Sequence, residues 1–209
     1  MVSKISNFIS SQFSKPNGFF GNLIAHFMKI SNKPLHDTLI ENIDIKKTDI
    51  ILDIGFASGN VIEKLLNQNP KKIYGIDISE DMVNLAKKNL KNEIKNNKVE
   101  LELGDVEKLP FNNDFFTKIY TINTVYFWNN SENALNEINR TLQIDGIFYN
   151  LMVSKEGLTG SFTETNFKKY TIEEFENITK NAGFEILNII EVEKDISYCI
   201  ISKKKKSEN

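Results

Sequence analysis

Residues 50–59 read Ile-Ile-Leu-Asp-Ile-Gly-Phe-Ala-Ser-Gly, and this stretch decides the fold. An apolar run reaches Asp53, and a loop that contains Gly55, Ala57 and Gly59 follows at once. Such a run is typical of a strand that is buried on both faces of a parallel sheet. The small loop residues let the backbone approach a ligand closely. Because ligands of open α/β sheets bind beyond the carboxyl ends of the strands, we expect a site for a nucleotide-like cofactor here.

The rest of the chain alternates strand patterns with helical patterns. The apolar runs predict strands over residues 50–54, 72–77, 99–103, 118–121, 146–151, 185–191 and 197–202, and helices over 60–68, 80–91, 131–141 and 171–182. This alternation predicts an α/β fold with a mostly parallel sheet and helices on both faces. Ser79 is the predicted N-cap of the second of these helices. Because the last two strands are joined only by a tight link at Lys194-Asp195, with no room for a crossover helix, we expect an antiparallel terminal hairpin.

The first 45 residues lack strand patterns and predict three short amphipathic helices. The apolar stripes are interrupted at Lys15-Pro16-Asn17-Gly18 and again at Asn32-Lys33-Pro34. We expect residues 1–45 to be an N-terminal helical cap of the same domain that spans 46–203. Residues 204–209 are expected to form a disordered, charged tail.

Composition narrows the classes of partner. The chain has 209 residues, a net charge of −2 and a single arginine, Arg140, which argues against nucleic-acid recognition. The only cysteine is Cys199, so no intrachain disulfide is expected. Two histidines, His26 and His36, leave little for a metal site, and none is predicted. No apolar run approaches the length of a membrane span and no secretory signal is evident, so a cytoplasmic location is expected.

The loop sequence separates two classes of cofactor. The dinucleotide fingerprint is Gly-x-Gly-x-x-Gly, with a middle glycine for close approach and a last glycine for helix packing. Ala57 stands at the middle position, and the helix-packing glycine is absent. A nucleotide-dependent oxidoreductase is therefore disfavoured.

Three motifs stand in order, each at a predicted strand end: Leu-Asp-Ile-Gly-Phe-Ala-Ser-Gly at 52–59, Tyr-Gly-Ile-Asp-Ile-Ser at 74–79, and Gly-Asp-Val-Glu-Lys-Leu-Pro-Phe at 104–111. Together they resemble the motifs of the class I S-adenosylmethionine-dependent methyltransferases. The similarity covers roughly residues 48–152. Ala57 departs from a glycine that is usual in this family, and Thr117 and Lys118 stand where an aspartate is common. The resemblance implies a Rossmann-like seven-stranded sheet, S-adenosylmethionine as cofactor, and an N-terminal helical lid over the cleft.

The resemblance also implies a set of cofactor-binding residues, namely Asp53, Gly55, Phe56, Ala57, Gly59, Asp77, Ile78, Met82, Asp105, Val106 and Asn123. By this resemblance Asp77 accepts hydrogen bonds from two ribose hydroxyls, and Asp105 accepts one from the adenine amino group. Ile78, Met82 and Val106 enclose the adenine ring.

Alternatives to these roles remain open. Asp77 is also a good cap for the next helix, since acidic groups favour helix N-termini. Asp105 is equally suited to a turn after Gly104. Asp53 either supports the loop or meets the cofactor's ammonium group through water.

The acceptor side is expected beyond the fourth strand. Asn123 is placed to face the methionyl part of the cofactor, and Tyr126, Phe127 and Trp128 are candidates for an acceptor pocket, although simple packing is the favoured role for Phe127. Tyr126 and His26 are the predicted catalytic residues, as general bases, and His36 is a further candidate.

The predicted function is methyl transfer to an N, O or S atom of a small-molecule acceptor. Asn123-Thr124-Val125-Tyr126 lacks the two prolines of the adenine and glutamine amino-methylating enzymes of this family. The alternative is a catalytically silent S-adenosylmethionine-binding module or partner subunit. The sequence leaves the acceptor and the oligomeric state open.

Overall fold

The computed structural model describes residues 32–158 and 168–206, and in this part of the chain it contains one seven-stranded sheet. The strands are β1 (Ile50–Ile54), β2 (Lys72–Asp77), β3 (Val99–Leu103), β4 (Phe116–Ile122), β5 (Leu142–Val153), β6 (Phe184–Glu193) and β7 (Ser197–Lys204). Their order across the sheet is β3-β2-β1-β4-β5-β7-β6. The first five strands run parallel, whereas β7 is antiparallel to both β5 and β6. This confirms the predicted fold and its terminal hairpin.

Helices cover both faces of the sheet. Within the described residues they are α1 (Lys33–Asn42), α2 (Asn60–Leu66), α3 (Glu80–Asn89), α4 (Lys91–Lys95), α5 (Ser131–Thr141) and α6 (Ile172–Asn181). The side chain of Ser79 accepts a hydrogen bond from the Met82 N–H, as expected of an N-cap. Thr171 and Glu174 form a reciprocal capping box at the start of α6. These side chains explain why the two helices begin where they do.

Successive residues of each central strand point into different apolar layers. Ile51 and Tyr120 pack in the layer beneath α1, α2 and α3, whereas Leu52 and Ile119 pack in the layer beneath α5 and α6. All four side chains are fully buried. The continuous apolar run of β1 is therefore accounted for, because both faces of this strand are covered by helices.

Two polar contacts join β4 to β1 near their amino ends. The Thr117 hydroxyl lies 3.1 Å from both the Ile50 nitrogen and the Ile50 carbonyl oxygen. The Lys118 ammonium group pairs with the buried Asp49 carboxylate at 2.5 Å. Thr117 and Lys118, which depart from the family pattern, thus connect two central strands at the edge opposite the strands' carboxyl ends.

Only the last part of the predicted cap lies within the described residues. The predicted third helix is observed as α1, and the interruption at Pro34 marks its beginning, where proline in the first turn is well tolerated. The first two predicted helices lie outside the described residues, and the lid stays a prediction. At the other terminus, β7 continues through Lys204. In the described ranges, no helix combines the length and apolar character needed to cross a membrane.

Candidate active site

A cavity of about 330 Å³ lies at the carboxyl ends of β1 to β4. This position is the one expected for a ligand of an open α/β sheet. Its lining residues come from the loops after these strands: Ile54, Gly55, Ala57, Ile76, Asp77, Ile78, Gly104, Asp105, Val106, Glu107, Ile122, Asn123, Thr124, Phe127, Trp128 and Asn129. Seven of the eleven residues predicted to bind the cofactor lie along it; Asp53, Phe56, Gly59 and Met82 do not.

The loop after β1 brings its backbone against the segment after β4. Gly55 has φ +79°, and a Cβ atom there would lie 2.4 Å from Cγ2 of Thr124. Gly59 has φ +80°, and a Cβ atom there would lie 2.7 Å from Leu90. Both positions therefore require glycine for backbone conformation and for space. Ala57 also has a positive φ of 48°, which explains why a glycine is usual at its position.

Asp77 joins the loop after β1 to the turn after β2. One carboxylate oxygen accepts a hydrogen bond from the Ala57 N–H at 2.9 Å, and the other accepts one from the Ser79 N–H at 2.9 Å. Burial raises the pKa of Asp77, although these two hydrogen bonds favour the charged form. Asp77 thus stabilises the start of α3, as its structural alternative required, and also lines the cavity.

Asp105 and two apolar residues form the neighbouring wall. An Asp105 carboxylate oxygen accepts a hydrogen bond from the Glu107 N–H at 2.9 Å, so this exposed residue caps a turn while it lines the cavity. Ile78 and Val106 also line the cavity, and Ile78 is 47% exposed. Met82 is 1% exposed and lies in the core rather than on the cavity wall. Only two of the three residues predicted to enclose the adenine ring are therefore available at the cavity surface.

Phe56 packs under the sheet rather than along the cavity. It is buried, and a Cβ atom on Gly75 would lie 2.6 Å from its ring. The glycine in β2 thus makes room for this ring. Phe56 holds the loop in place through packing, and any contact with a ligand in the main cavity falls to its neighbours.

A smaller recess of about 50 Å³ adjoins the cavity beneath α1. The two share Gly55, Ala57 and Ile122 as lining residues. The remaining lining residues are mostly polar: Asn32, His36, Asp53, Phe56, Ser58, Asn60, Val61 and Tyr120. The sequence placed Asp53 near the cofactor, and the structure places it in this recess.

Asp53 is the one acidic residue among the described lining residues of the recess, and it is buried. The Tyr120 hydroxyl donates a hydrogen bond to its carboxylate at 2.6 Å. The pKa of Asp53 is raised from 3.8 to about 8, chiefly by burial and in part by the nearby charge of Asp77. The hydrogen bond from Tyr120 acts in the opposite direction. Burial therefore favours the neutral form of Asp53, and a cationic group beside it would favour the carboxylate.

The segment after β4 is held by a network of side chains around Asn123. Its amide nitrogen donates to Oδ1 of Asn32 at 2.9 Å, and its oxygen accepts from the Val153 N–H at 3.1 Å. The Tyr126 hydroxyl lies 2.9 Å from the same oxygen and accepts a hydrogen bond from the Val153 N–H at 2.6 Å. Asn123 adopts φ 56°, a conformation that asparagine tolerates well. The network therefore connects α1, β4 and β5 beside the cavity.

The two predicted catalytic residues are placed differently. Tyr126 is buried and does not line the cavity, and burial raises the pKa of its hydroxyl well above the ordinary value. His26 lies outside the described residues. Cys199 is fully buried in β7, where burial raises the pKa of its thiol to about 12, as expected of a packing residue.

Of the three aromatic residues after β4, Tyr126 and Phe127 differ from their expected roles, whereas Trp128 lines the cavity as expected. Phe127 and Trp128 line the cavity, whereas Tyr126 belongs to the side-chain network. Phe127, for which packing was the favoured role, is therefore a wall of the cavity. Sequence reasoning also missed Glu107 and Asn129. Glu107 follows Asp105 within the third motif, and that proximity was the available signal.

Comparisons with known proteins point in one direction. A family model described as a methyltransferase domain matches residues 52–150. The Bacillus subtilis protein named "Uncharacterized methyltransferase YdaC" is 27% identical over 185 residues, which cover 87% of this chain and 98% of that protein. "Putative methyltransferase YrhH", also from Bacillus subtilis, is 30% identical over 162 residues, which cover 77% of this chain and 86% of that protein.

A solved structure agrees with these sequence relatives. The crystal structure of a SAM dependent methyltransferase from Aquifex aeolicus superimposes with a TM-score of 0.74 and covers 89% of this chain and 99% of that one, at 21% identity. At this identity the likeness shows the fold. Sequence relatives, family model and fold together show that the chain belongs to the class I S-adenosylmethionine-dependent methyltransferases, with S-adenosylmethionine as its cofactor.

Proposed function

We propose that this protein transfers a methyl group from S-adenosylmethionine to an N, O or S atom of a small-molecule acceptor. One observation carries the proposal. A single cavity of about 330 Å³ extends from the acidic residues Asp77 and Asp105 to the aromatic residues Phe127 and Trp128. Its first part offers acceptors for ribose and adenine, and its second part offers apolar surface for another molecule.

The residues of the first part fit the cofactor. Asp77 is held at the cavity wall by two backbone N–H groups, which fix the orientation of its carboxylate and leave lone pairs for further hydrogen bonds. Asp105 is positioned in the same way by the Glu107 N–H. Gly55 lines the cavity without a side chain, so the loop backbone is open to direct contact with a ligand there. We assign Asp77 to the ribose hydroxyls and Asp105 to the adenine amino group.

The residues of the second part would orient an acceptor. When bound, S-adenosylmethionine supplies a methyl carbon that is already activated by its sulfonium group. The protein therefore needs mainly to place the acceptor atom in line with that carbon. Phe127 and Trp128 offer aromatic faces for this, and Asn123 presents a polar group between the two parts of the cavity. We assign Tyr126 to positioning Asn123, because its hydroxyl contacts that side chain and its pKa is raised.

The alternative of a silent binding module has one observation in its favour. Among the cavity-lining residues that the structure describes, the carboxylates of Asp77, Asp105 and Glu107 are the ionisable groups, and none is a histidine, cysteine, lysine or tyrosine. Acceptors that attack without losing a proton first, such as a neutral amine or a thiolate, are compatible with this lining. Transfer of labelled methyl groups from S-adenosylmethionine to a metabolite extract separates the two functions, since a silent module yields no labelled product.

Calorimetric titration tests the cofactor site directly. We expect S-adenosylmethionine and its product S-adenosylhomocysteine to bind and NADH not to bind. Asp77→Ala should weaken binding of the product about 100-fold, because it removes ligand contacts and leaves two backbone N–H groups without their acceptor. Glu80→Gln, an exposed change in the first turn of the same helix, is the matched control. Unchanged affinity in Asp77→Ala would show that the ribose assignment is wrong.

A further inference from the structure

The recess beneath α1 differs in chemistry from the main cavity. The main cavity is lined by three carboxylates, Asp77, Asp105 and Glu107, and its described lining has no lysine, arginine or histidine. The recess contains His36, the one side chain among its described lining residues that can carry a positive charge. It also contains Asp53. A side chain that can carry a positive charge and an acidic side chain therefore share one small space next to the loop after β1.

The recess also lies at the right place for one end of the cofactor. It shares Gly55, Ala57 and Ile122 with the main cavity, so a ligand in the cavity can extend into it around the loop. Its volume of about 50 Å³ suits a small polar group rather than a nucleoside. The amino-acid end of S-adenosylmethionine carries one carboxylate and one ammonium group, which need a cation and an anion as partners.

Helix α1 supplies this part of the site from outside the matched family domain. Asn32 and His36 precede residues 52–150, which the methyltransferase domain model matches. Asn32 also accepts a hydrogen bond from the amide of Asn123, which lines the main cavity. The start of α1 thus borders the recess and contacts the wall of the cavity at the same time.

We propose that His36 is a cofactor-binding residue, which donates a hydrogen bond to the carboxylate of S-adenosylmethionine, while Asp53 faces the ammonium group. The assignment rests on the proposed function in one respect, because it requires that the protein bind S-adenosylmethionine. It makes α1 the element by which this chain distinguishes a complete cofactor from one that lacks its amino-acid end. His36 thereby becomes a binding residue rather than a general base.

A double-mutant cycle between protein and ligand tests the contact. Binding of S-adenosylmethionine and of decarboxylated S-adenosylmethionine, which lacks only the carboxylate, is measured by calorimetry for the unmodified protein and for His36→Asn. We expect the unmodified protein to prefer the complete cofactor about tenfold or more, as for a charge-assisted hydrogen bond. In His36→Asn this preference should fall at least about fivefold.

Lys33→Ala is the matched control. It removes a positive charge from the same helix at an exposed position outside the recess lining, so the preference should stay as in the unmodified protein. An equal preference in His36→Asn and in the unmodified protein would overturn the assignment. Absence of binding of both ligands to the unmodified protein would overturn the proposed function as well, which distinguishes the two failures.

A second measurement keeps the assignment testable if His36→Asn does not fold. The chain has two histidines, so a His26→Gln variant leaves one imidazole signal in a proton NMR spectrum. S-adenosylhomocysteine should shift this signal, whereas 5′-methylthioadenosine, which lacks the amino-acid end, should leave it nearly unchanged. Equal shifts with the two ligands would overturn the assignment.

Discussion

The two halves of the cavity are built by different means. At the ends of β1, β2 and β3, side chains position backbone: Asp77 accepts hydrogen bonds from Ala57 and Ser79. After β4, side chains position one another, as Asn123 does with Asn32 and Tyr126. The first half therefore depends on a few glycines and acids at set spacings. The second depends on contacts between distant segments, and this difference explains why only the first half has a recognisable motif.

Gly55→Ala breaks the junction of the two halves and should have the largest effect. Gly55 combines a φ of +79° with a neighbour, Thr124 Cγ2, at 2.4 Å from a Cβ atom. Left-handed backbone strain and overpacking together should lower the free energy of unfolding by about 3 kcal/mol. Chemical denaturation measures this loss, and affinity for S-adenosylhomocysteine should fall with it.

A Thr124→Ser background divides this effect between its two causes. Serine lacks Cγ2 but keeps the hydroxyl that contacts Thr121. Gly55→Ala should therefore be less damaging in this background, because the clash is relieved and only the backbone strain remains. An equal loss of stability in both backgrounds would mean that the two halves are not in close contact at Gly55.

Asp53→Asn tests the buried acid of the recess that adjoins the first half of the cavity. The pKa of Asp53 is raised from 3.8 to about 8, so between these values the folded protein holds a proton that the unfolded chain releases. The unfolding free energy should then fall as pH rises through this window, by up to about 1.4 kcal/mol per pH unit. Asp53→Asn removes this dependence, so its stability relative to the unmodified protein should increase from pH 5 to pH 7, by about 2–3 kcal/mol.

Denaturation of the cofactor-free protein at pH 5, 6 and 7 measures the difference. Glu80→Gln, an exposed change in α3, should give a stability curve parallel to that of the unmodified protein. Parallel curves for Asp53→Asn as well would show that Asp53 is ionised in the folded protein.

Asn150→Leu tests a buried amide without hydrogen-bond partners that lies beside the second half of the cavity. Asn150 lies in β5 opposite Thr121, is fully buried, and neither polar atom of its side chain has a hydrogen-bond partner in the structure described here. Replacing an unsatisfied buried amide by an apolar group of similar shape should raise the free energy of unfolding by about 1–2 kcal/mol. Asn150→Val is a smaller variant that guards against overpacking. Lower stability in both variants would contradict the absence of a partner.

Ala57→Gly should have the smallest effect. Relief of the left-handed conformation at φ 48° is offset in part by the greater freedom of glycine in the unfolded chain. We expect a gain of about 0.5 kcal/mol in the free energy of unfolding. Thermal denaturation beside an Ala86→Gly control, in the interior of α3 where glycine should destabilise, gives the comparison. If both variants have a lower free energy of unfolding than the unmodified protein, the backbone at Ala57 is not strained.

The position of the first half of the cavity could be predicted from the sequence because its signals are local. The strand 50–54 is observed with the same bounds, and Gly55, Asp77 and Asp105 all reach the cavity. Gly55 follows β1 directly, Asp77 is the last residue of β2, and Asp105 follows β3 after Gly104. A strand end and its first polar residue can be read without knowing which other segments lie nearby.

The remaining features depend on distant contacts. Phe56 packs against Gly75, and the recess containing His36 forms because α1 lies beside the loop after β1. Helix α4 was not predicted, since it has no buried residue and thus no apolar periodicity. β5 is longer than predicted because it begins at Leu142, directly after α5, with no intervening turn signal. Tertiary neighbours decide the position of Phe56 and the formation of the recess, neither of which has a local signal.

The place of β7 in the sheet has a consequence for the order of folding during synthesis. β6 pairs with β7 alone in the described sheet, and β7 also completes the pairing of β5. Until β7 has left the ribosome, β6 has no partner strand in the sheet, and one edge of β5 is still open. The sheet is complete only after Ser197–Lys204 emerges and pairs with β5 on one side and β6 on the other. A nascent chain of this protein therefore exposes two β-edges at once, which are the surfaces a chaperone would need to shield.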